Sequence, residues 1–351
     1  MFARHEGDHK DRHCRPFDSI FLKEGKMLFQ FRLVFAFLLL ALLSGCTFFN
    51  VNIIPAPKPL EEKVIEGEGR PKLLILDIAG FISEKEPDGS RLAGEKPSDV
   101  SRVKEALRKA EKDEDIAGVI LRINSPGGTV AASDIIYHEI KSFKNRKKVP
   151  VYACITGLGT SGAYYIATAS DQITAHPASL TGSIGVILLT FNLEGLFGKV
   201  GITENSIKSG AKKDIMSPFR ASTPEELRIM QDIIDHFAGR FLDVIMARKN
   251  NRLERKELEK LADGRVYTAE QALASKLIDR TEYLDDTISE MKRTLEIGEA
   301  RVVSYYRPGS YRGSIYSGAD TDAAPAVNLI NINADGLEML SSPQFLYLWR
   351  Q

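Results

Sequence analysis

The chain has 351 residues, enough for one large domain or two small ones with a proper buried core in either case. Acidic and basic residues balance at 47 each, so no net field draws nucleic acid or an acidic substrate, and a nucleic-acid footprint is excluded as the main role. Hydrophobic residues at 43% and charged residues at 27% are the proportions of a globular protein.

The first fifty residues stand apart. Residues 1–26 are polar, mixed in charge, and hold three of the six histidines. Met27 opens a second start-like stretch, with Arg32 followed by the apolar run Leu33 to Leu43. A short basic region ahead of an apolar core reads as a secretory signal. The run falls short of the roughly 20 residues that a membrane span needs. It closes on Leu43-Ser44-Gly45-Cys46, which resembles the lipobox of bacterial lipoproteins. That resemblance implies cleavage before Cys46, a lipid on its thiol, and a leader over residues 1–46. A plain signal anchor with an incidental Cys46 is the alternative. Thr47 in place of an Asp implies onward transport to the outer membrane, and the residues before Met27 then reflect start-site choice. Cys154 lies in the apolar run Val149 to Ile155 and reads as a small buried residue, so no disulfide framework is available.

Residues 47–71, with Pro55, Pro57 and Pro59 close together, read as a tether. The globular domain is placed over residues 72–300. Leu73 to Ile78 is a continuous apolar run of the kind covered on both faces of a sheet. Ser98 precedes a helical pattern with Val100, Val103, Ala106, Leu107 and Ala110 on one face. Ile116 to Ile123 is the next buried strand and runs into Asn124-Ser125-Pro126-Gly127-Gly128, followed by a helix from Val130 towards Phe143. A third strand over Val149 to Ile155 leads through a small-residue loop to a helix beginning near Ser161. Short strands are predicted at 172–175 and 184–189, then a long helix from Thr223 to about Lys249 with Pro224 in its first turn, and shorter helices over 253–295. Residues 301–351 read as a loose tail, rich in Gly, Ser, Asp and Ala over 307–334. It ends in an apolar patch, Phe345 to Trp349, with no local explanation. Strands alternating with helices give an α/β core with largely parallel strands.

Three small-residue segments follow strands, where α/β folds place their sites. The Pro-Gly-Gly turn lets backbone N–H groups approach a ligand, which suits a carbonyl oxygen becoming negative; it is equally an ordinary strand-to-helix turn. Ser161, bracketed by Gly and small residues at a helix start, can expose its hydroxyl, and can as well be an N-cap serine. In Ile207 to Met216, a lysine among apolar and small residues can be desolvated into a usable base, whereas an adjacent pair such as Lys212-Lys213 is also what a solvated surface carries. Hydroxyls in Thr181-Gly182-Ser183-Ile184-Gly185 can position such a lysine. His138, His176 and His236 read as structural, so a histidine-based triad fits poorly. No metal is expected, because no His/Cys/Asp cluster has ligand spacing, and no cofactor is called for.

Four segments together resemble the signal peptide peptidase A (protease IV) family of serine peptidases. They are Asn124 to Gly128, Thr160-Ser161-Gly162-Ala163-Tyr164-Tyr165-Ile166-Ala167, Thr181 to Val186, and Lys208 to Asp214, and the resemblance extends over roughly residues 72–295. It implies an α/β fold like that of Clp protease and the crotonases, a spiral of strand–strand–helix units in a single catalytic domain. It implies Ser161 as nucleophile and Lys213, the second lysine of the pair, as general base. Oxyanion N–H groups would come from Gly127 or Gly128 and from Gly162, and Ser183 would orient the lysine. Ala163 stands where the family usually has a second glycine. The resemblance further implies peptide substrates such as cleaved signal peptides, and an octameric ring or dome in which Ser and Lys meet across a subunit boundary. With the lipid anchor at Cys46, the location is the bacterial cell envelope, exported and on the periplasmic side. Two other readings share these residues: a crotonase-type enzyme acting on a CoA thioester, and a non-catalytic membrane scaffold. Export disfavours the first and the intact Ser–Lys pair the second.

Overall fold

A computed structural model of the chain describes residues 59–86, 97–307 and 344–349. The leader with Cys46, and the tether before Pro59, lie outside these residues. In chain order the strands and helices are β1 (Glu61–Glu66), β2 (Lys72–Ile82), α1 (Asp99–Lys112), β3 (Ile116–Thr129), α2 (Val130–Lys147), β4 (Val151–Thr160), α3 (Gly162–Ala167), β5 (Gln172–Ala175), β6 (Leu180–Gly182) and β7 (Ile187–Leu189). They continue with α4 (Glu194–Lys199), α5 (Pro224–Met246), α6 (Arg255–Leu261), β8 (Val266–Thr268), α7 (Ala269–Ala274), β9 (Arg280–Thr281), α8 (Leu284–Thr294), β10 (Arg301–Tyr306) and β11 (Gln344–Leu348).

The strands form one mixed sheet in the order β1-β10-β2-β3-β4-β5-β9. From β10 to β9 every neighbour on that path is parallel, and β1 closes the edge antiparallel to β10. The continuous apolar runs follow from burial on both faces. On one face Leu74, Leu76, Val119, Leu121, Ala153 and Ile155 pack with residues of α1, α2, α3 and α5. On the other, Leu73, Ile75, Ile120, Tyr152 and Cys154 pack against Leu284, Ile288 and Met291 of α8. Successive residues of one strand therefore serve two cores, and the period-2 alternation vanishes from the sequence. This is the α/β core with largely parallel strands expected from the sequence, in a single domain.

Four differences from the sequence reading matter for the site. The Pro-Gly-Gly segment is the end of β3 and not a loop: a register shift between Ile123 and Ser125 absorbs the irregularity, and such a bulge is where a strand tolerates proline. The small-residue segment Gly157 to Thr160 likewise extends β4. Residues 61–66, assigned to the tether, form β1, and Arg301–Tyr306, assigned to the tail, form β10 in the interior of the sheet between β1 and β2. Finally the apolar patch near the C-terminus forms β11, antiparallel to both β3 and β7.

Candidate active site

Ser161 stands between β4 and α3 with φ 54° and ψ −116°, a left-handed backbone that a residue with a Cβ adopts only under strain. Its side chain caps nothing, and the residue is only 1% exposed. The N-cap alternative is thereby removed, since a capping serine has an ordinary extended backbone and spends its oxygen on the helix. A sharp strand-to-helix turn of this kind forces the hydroxyl out of both elements.

The turn is held from all sides. Ser161 N–H donates to Gly182 O at 2.7 Å, and its carbonyl accepts from Tyr165 N–H at 2.9 Å. Tyr164 Oη donates to Leu277 O at 2.6 Å, and Tyr165 Oη donates to an Asp134 carboxylate oxygen at 2.5 Å. Both rings are fully enclosed, and burial pushes both phenols well above their ordinary pKa, Tyr164 to about 12. Gly182, itself at φ 84°, is followed by Ser183 at φ 49°, whose N–H donates to Arg265 O at 2.7 Å. Ser183 is thus one residue from Gly182, whose carbonyl fixes the Ser161 backbone.

The three glycines singled out in the sequence converge here. A Cβ built on Gly127 would lie 2.8 Å from Gly162 N, and one on Gly162 would lie 3.2 Å from Gly128 N. A Cβ on Gly128 would lie 1.9 Å from Ile82 O. Close backbone approach, and at Gly127 a φ of 104°, explain why no side chain fits. The geometry also separates Gly127 from Gly128: Gly127 N–H donates to Ser125 Oγ at 3.0 Å, and Ser125 Oγ donates to Gly80 O at 2.6 Å. Gly127 N–H is therefore occupied by Ser125, which leaves Gly128 and Gly162 of the three as the oxyanion candidates. Helix α3 is too short for its dipole to matter much, but α2 spans 18 residues, and its N-cap Thr129 accepts from Ala132 N–H, so its positive end adjoins the same glycines.

The lysine segment is built differently. Lys208 donates to an Asp214 carboxylate oxygen at 2.5 Å and Lys212 to Glu225 at 2.6 Å. Arg220 bridges Asp214 and Glu226, with contacts of 2.8 Å and 2.6 Å. This holds the Asp214 carboxyl well below the usual carboxylate range and Glu226 at about 2, the Arg220 hydrogen bond being the main cause in each. Lys213 is exposed, and among the described residues its side chain enters no hydrogen bond or ion pair. Among the described residues the desolvated setting expected for a base is absent, and no hydrogen bond joins Lys213 to Ser161 or Ser183. The structure brings together Ser161, Gly127, Gly128, Gly162 and Ser183; it leaves Lys213 apart. No group of residues that could hold a metal ion is found among the described residues. A cleft of about 730 Å³ edged by Lys141, Lys144, Tyr152, Asp171 and Lys249 contains none of the candidate residues.

One neighbour of the site escaped the sequence reading. β11 lies across the glycine cradle, with Tyr347 opposite Gly128 and Leu348 opposite Gly127. The only signal was the apolar patch itself, because its partners lie more than a hundred residues away.

Comparison with known proteins now bears on this geometry. The model of peptidase family S49 matches residues 143–298, and that of Clp protease matches residues 95–180. A protein of Enterococcus faecium named for signal peptide peptidase SppA is 33% identical over 245 residues, covering 70% of each chain. Protease 4 of Salmonella typhi is 28% identical over 291 residues, which is 77% of this chain and 46% of that one. The chloroplastic serine protease SPPA of Arabidopsis thaliana is 31% identical over 258 residues, 71% of this chain and 37% of its own. Among solved structures, a membrane-bound stomatin-specific protease is 14% identical with a TM-score of 0.40, covering 64% of this chain and 86% of that one.

Proposed function

The chain belongs to peptidase family S49 and is a serine peptidase, and on that premise we propose that it is a membrane-anchored endopeptidase that cuts cleaved signal peptides and other exposed apolar peptides with a Ser161–Lys213 dyad. The observation that carries the reading is the buried, strained Ser161 that caps no helix and directly precedes Gly162, whose backbone closely approaches Gly127 and Gly128. Neutral Lys213 takes the Ser161 proton as Oγ attacks the peptide carbonyl. The two N–H groups hold the oxyanion, the amine leaves with the proton, and water hydrolyses the ester.

Lys213 is favoured over Lys212 on physical grounds as well as by resemblance. Lys212 is tied up in an ion pair with Glu225, whereas the Lys213 side chain enters no ion pair among the described residues and is free to turn towards a serine. The proposed mechanism uses Lys213 as a neutral base, which calls for a burial that the described residues do not provide. Exposed apolar residues on the same stretch, Ile202, Ile207, Phe219 and Leu227, give a second copy a surface to cover. A ring of subunits sharing sites, octameric by resemblance, satisfies both needs at once. No helix of the described residues is long and apolar enough to cross a membrane, and in this reading the lipid at Cys46 provides the anchor on the periplasmic side of the envelope.

The test is a pair of variants. Ser161→Ala and Lys213→Ala should each abolish hydrolysis of a fluorogenic apolar peptide while leaving the assembly intact by light scattering. Full activity in either variant would sink the dyad, and loss confined to Lys212→Ala would move the base by one residue.

A further inference from the structure

The proposed base has an acid, Asp214, as its immediate neighbour in the chain. A carboxylate within about 4–6 Å of a lysine favours the protonated form, the opposite of what a general base needs. Over residues 207–226 the chain carries four cations, Lys208, Lys212, Lys213 and Arg220, and three acids, Asp214, Glu225 and Glu226. Each acid has a partner other than Lys213. Asp214 takes Lys208 and Arg220, Glu226 takes Arg220, and Glu225 takes Lys212. Lys213 is the cation left over, and it enters no ion pair among the described residues.

Arg220 closes Asp214 off. Its Nε donates to Asp214 Oδ2 and its Nη2 to Oδ1, both at 2.8 Å, so the guanidinium holds the carboxylate by both oxygens. The same Nη2 reaches the Asp214 carbonyl at 3.1 Å, and Lys208 Nζ donates to Oδ2 at 2.5 Å. Bonds from Arg220 and Lys208 hold the Asp214 carboxyl well below the usual carboxylate range, so its charge is present at any working pH and is directed away from Lys213. On its other edge Arg220 donates to the two oxygens of Glu226, at 2.9 Å and 2.6 Å. The Glu226 side chain is 2% exposed and accepts Thr223 N–H at 2.8 Å, which fastens Arg220 to the first turn of α5. A lysine at this position would bring a point charge, not a planar fork able to hold two carboxylates at once. Helix α4 packs on the segment through Phe197, whose ring stacks on Phe219 at 5.0 Å, and it carries Glu194 and Lys199. Among the described residues no ion pair joins either of these to residues 207–226.

We infer that Arg220 is a positioning residue for the proposed dyad: it keeps the Asp214 carboxylate turned away from Lys213 and compensates its charge, so that the lysine beside it can give up its proton. The inference rests on the reading of Lys213 as the general base. Without Arg220, Asp214 keeps only Lys208 and has a free cation one residue away. Pairing with that cation stabilises protonated Lys213 and shrinks the neutral fraction that can accept the Ser161 proton. The loss falls on the base and not on peptide binding, so it is recovered at higher pH.

The decisive measurement is the pH profile of kcat/KM on a fluorogenic apolar peptide, whose rising limb reports the base of the free enzyme. In full-length Arg220→Gln that limb should move up by about one unit, so that the rate near pH 7 drops about tenfold and returns at higher pH. Adding Asp214→Asn to this variant should bring the limb back to its wild-type position, whereas adding Glu226→Gln should leave it displaced. A residue with only a structural role would lower the rate at every pH, and removal of a second charge would not restore it. Lys208→Gln carries the same test where Arg220→Gln does not fold, because it leaves the fork and the start of α5 in place. It should shift the limb in the same direction, with a loss near pH 7 of about threefold, the scale of a partly exposed pair. An unmoved limb in Arg220→Gln, or in Lys208→Gln where the first does not fold, would overturn the inference and spare the dyad. So would a limb still displaced after Asp214→Asn is added. A limb that survives in Lys213→Ala would defeat the dyad, and this inference with it.

Discussion

The serine half and the lysine half of the proposed site are held by opposite means. Around Ser161 the backbone and the two tyrosine hydroxyls are bonded inside the chain, the flanking Tyr164 and Tyr165 are fully buried, and three glycines fit only because no Cβ is present. Around Lys213 the polypeptide from Gly201 to Thr223 is mostly turns and coil, held by ion pairs at the surface, and Ile207 is wholly exposed. A packed interior over-determines a strained backbone and keeps it. A surface held by ion pairs in water does not, because each exposed pair contributes only about 0–1 kcal/mol. Among the described residues the serine half is therefore enclosed, while the lysine half lies open to solvent.

The largest effect should come from the lysine half. Lys213→Ala should lower kcat/KM on a fluorogenic peptide by about ten-thousand-fold, as loss of a dyad base does, with the melting temperature unchanged. Lys212→Ala, which breaks only a partly exposed pair with Glu225, should change kcat/KM less than about threefold. Equal losses in the two would erase the distinction. Dilution should then separate the halves without any mutation. If a second copy buries Lys213, specific activity falls steeply below the assembly concentration, while labelling by a small phosphonate that needs only the serine cradle falls less. Parallel loss would mean that the cradle too is completed by assembly.

Within the serine half, Gly127→Ala should be severe, because its Cβ meets the Tyr347 carbonyl and its φ of 104° is closed to alanine. A loss of about 2 kcal/mol or more in denaturant unfolding is expected, together with loss of turnover. Tyr164→Phe is milder. It removes only the hydroxyl bonded to Leu277 O, and should lower stability by about 1 kcal/mol with activity largely kept.

The smallest effect is acid sensitivity of the lysine segment. Glu226 is held at about 2 in the folded chain, mainly by Arg220, against an ordinary value of 4.5. A depressed carboxyl contributes stability that is whole above its unfolded value and disappears as pH falls through its folded one. The segment should loosen between roughly pH 4.5 and 2, seen as faster proteolysis by an acid-stable protease around residues 208–226. In Arg220→Ala that step should flatten, and a step of unchanged size would assign it elsewhere.

How much of this could be read from residues alone follows the same divide. The central strands, α1, α2, α5 and the three glycines were legible because apolar runs, caps and small residues are local signals. Thr223 with Pro224 and Glu226 announced the start of α5, and the capping box is present. Ser161 was legible as a candidate but not as a strained turn, since the turn is held by Gly182 O, Leu277 O and Asp134, all outside the motif. β1, β10 and β11 were missed because their partners are remote: Val303 pairs with Val64 and Leu74, and Tyr347 with Gly128. Within the tail, the Gly- and Ser-rich stretch between the last two strands masked both of them. The loops read after β3 and β4 are strand ends whose bulge is visible only in the register of the neighbouring strands.

The backbone at Ser161 has a consequence for how such a chain ages in evolution. A serine with φ 54° stores strain of about 1–2 kcal/mol that only a glycine escapes. Ser161→Gly would therefore give a dead enzyme more stable than its parent, whereas Ser161→Ala would keep the strain and lose the hydroxyl. Once selection for hydrolysis lapses, drift at this position is biased towards glycine, and a descendant kept only for its shape should carry that mark where the proposed nucleophile stood.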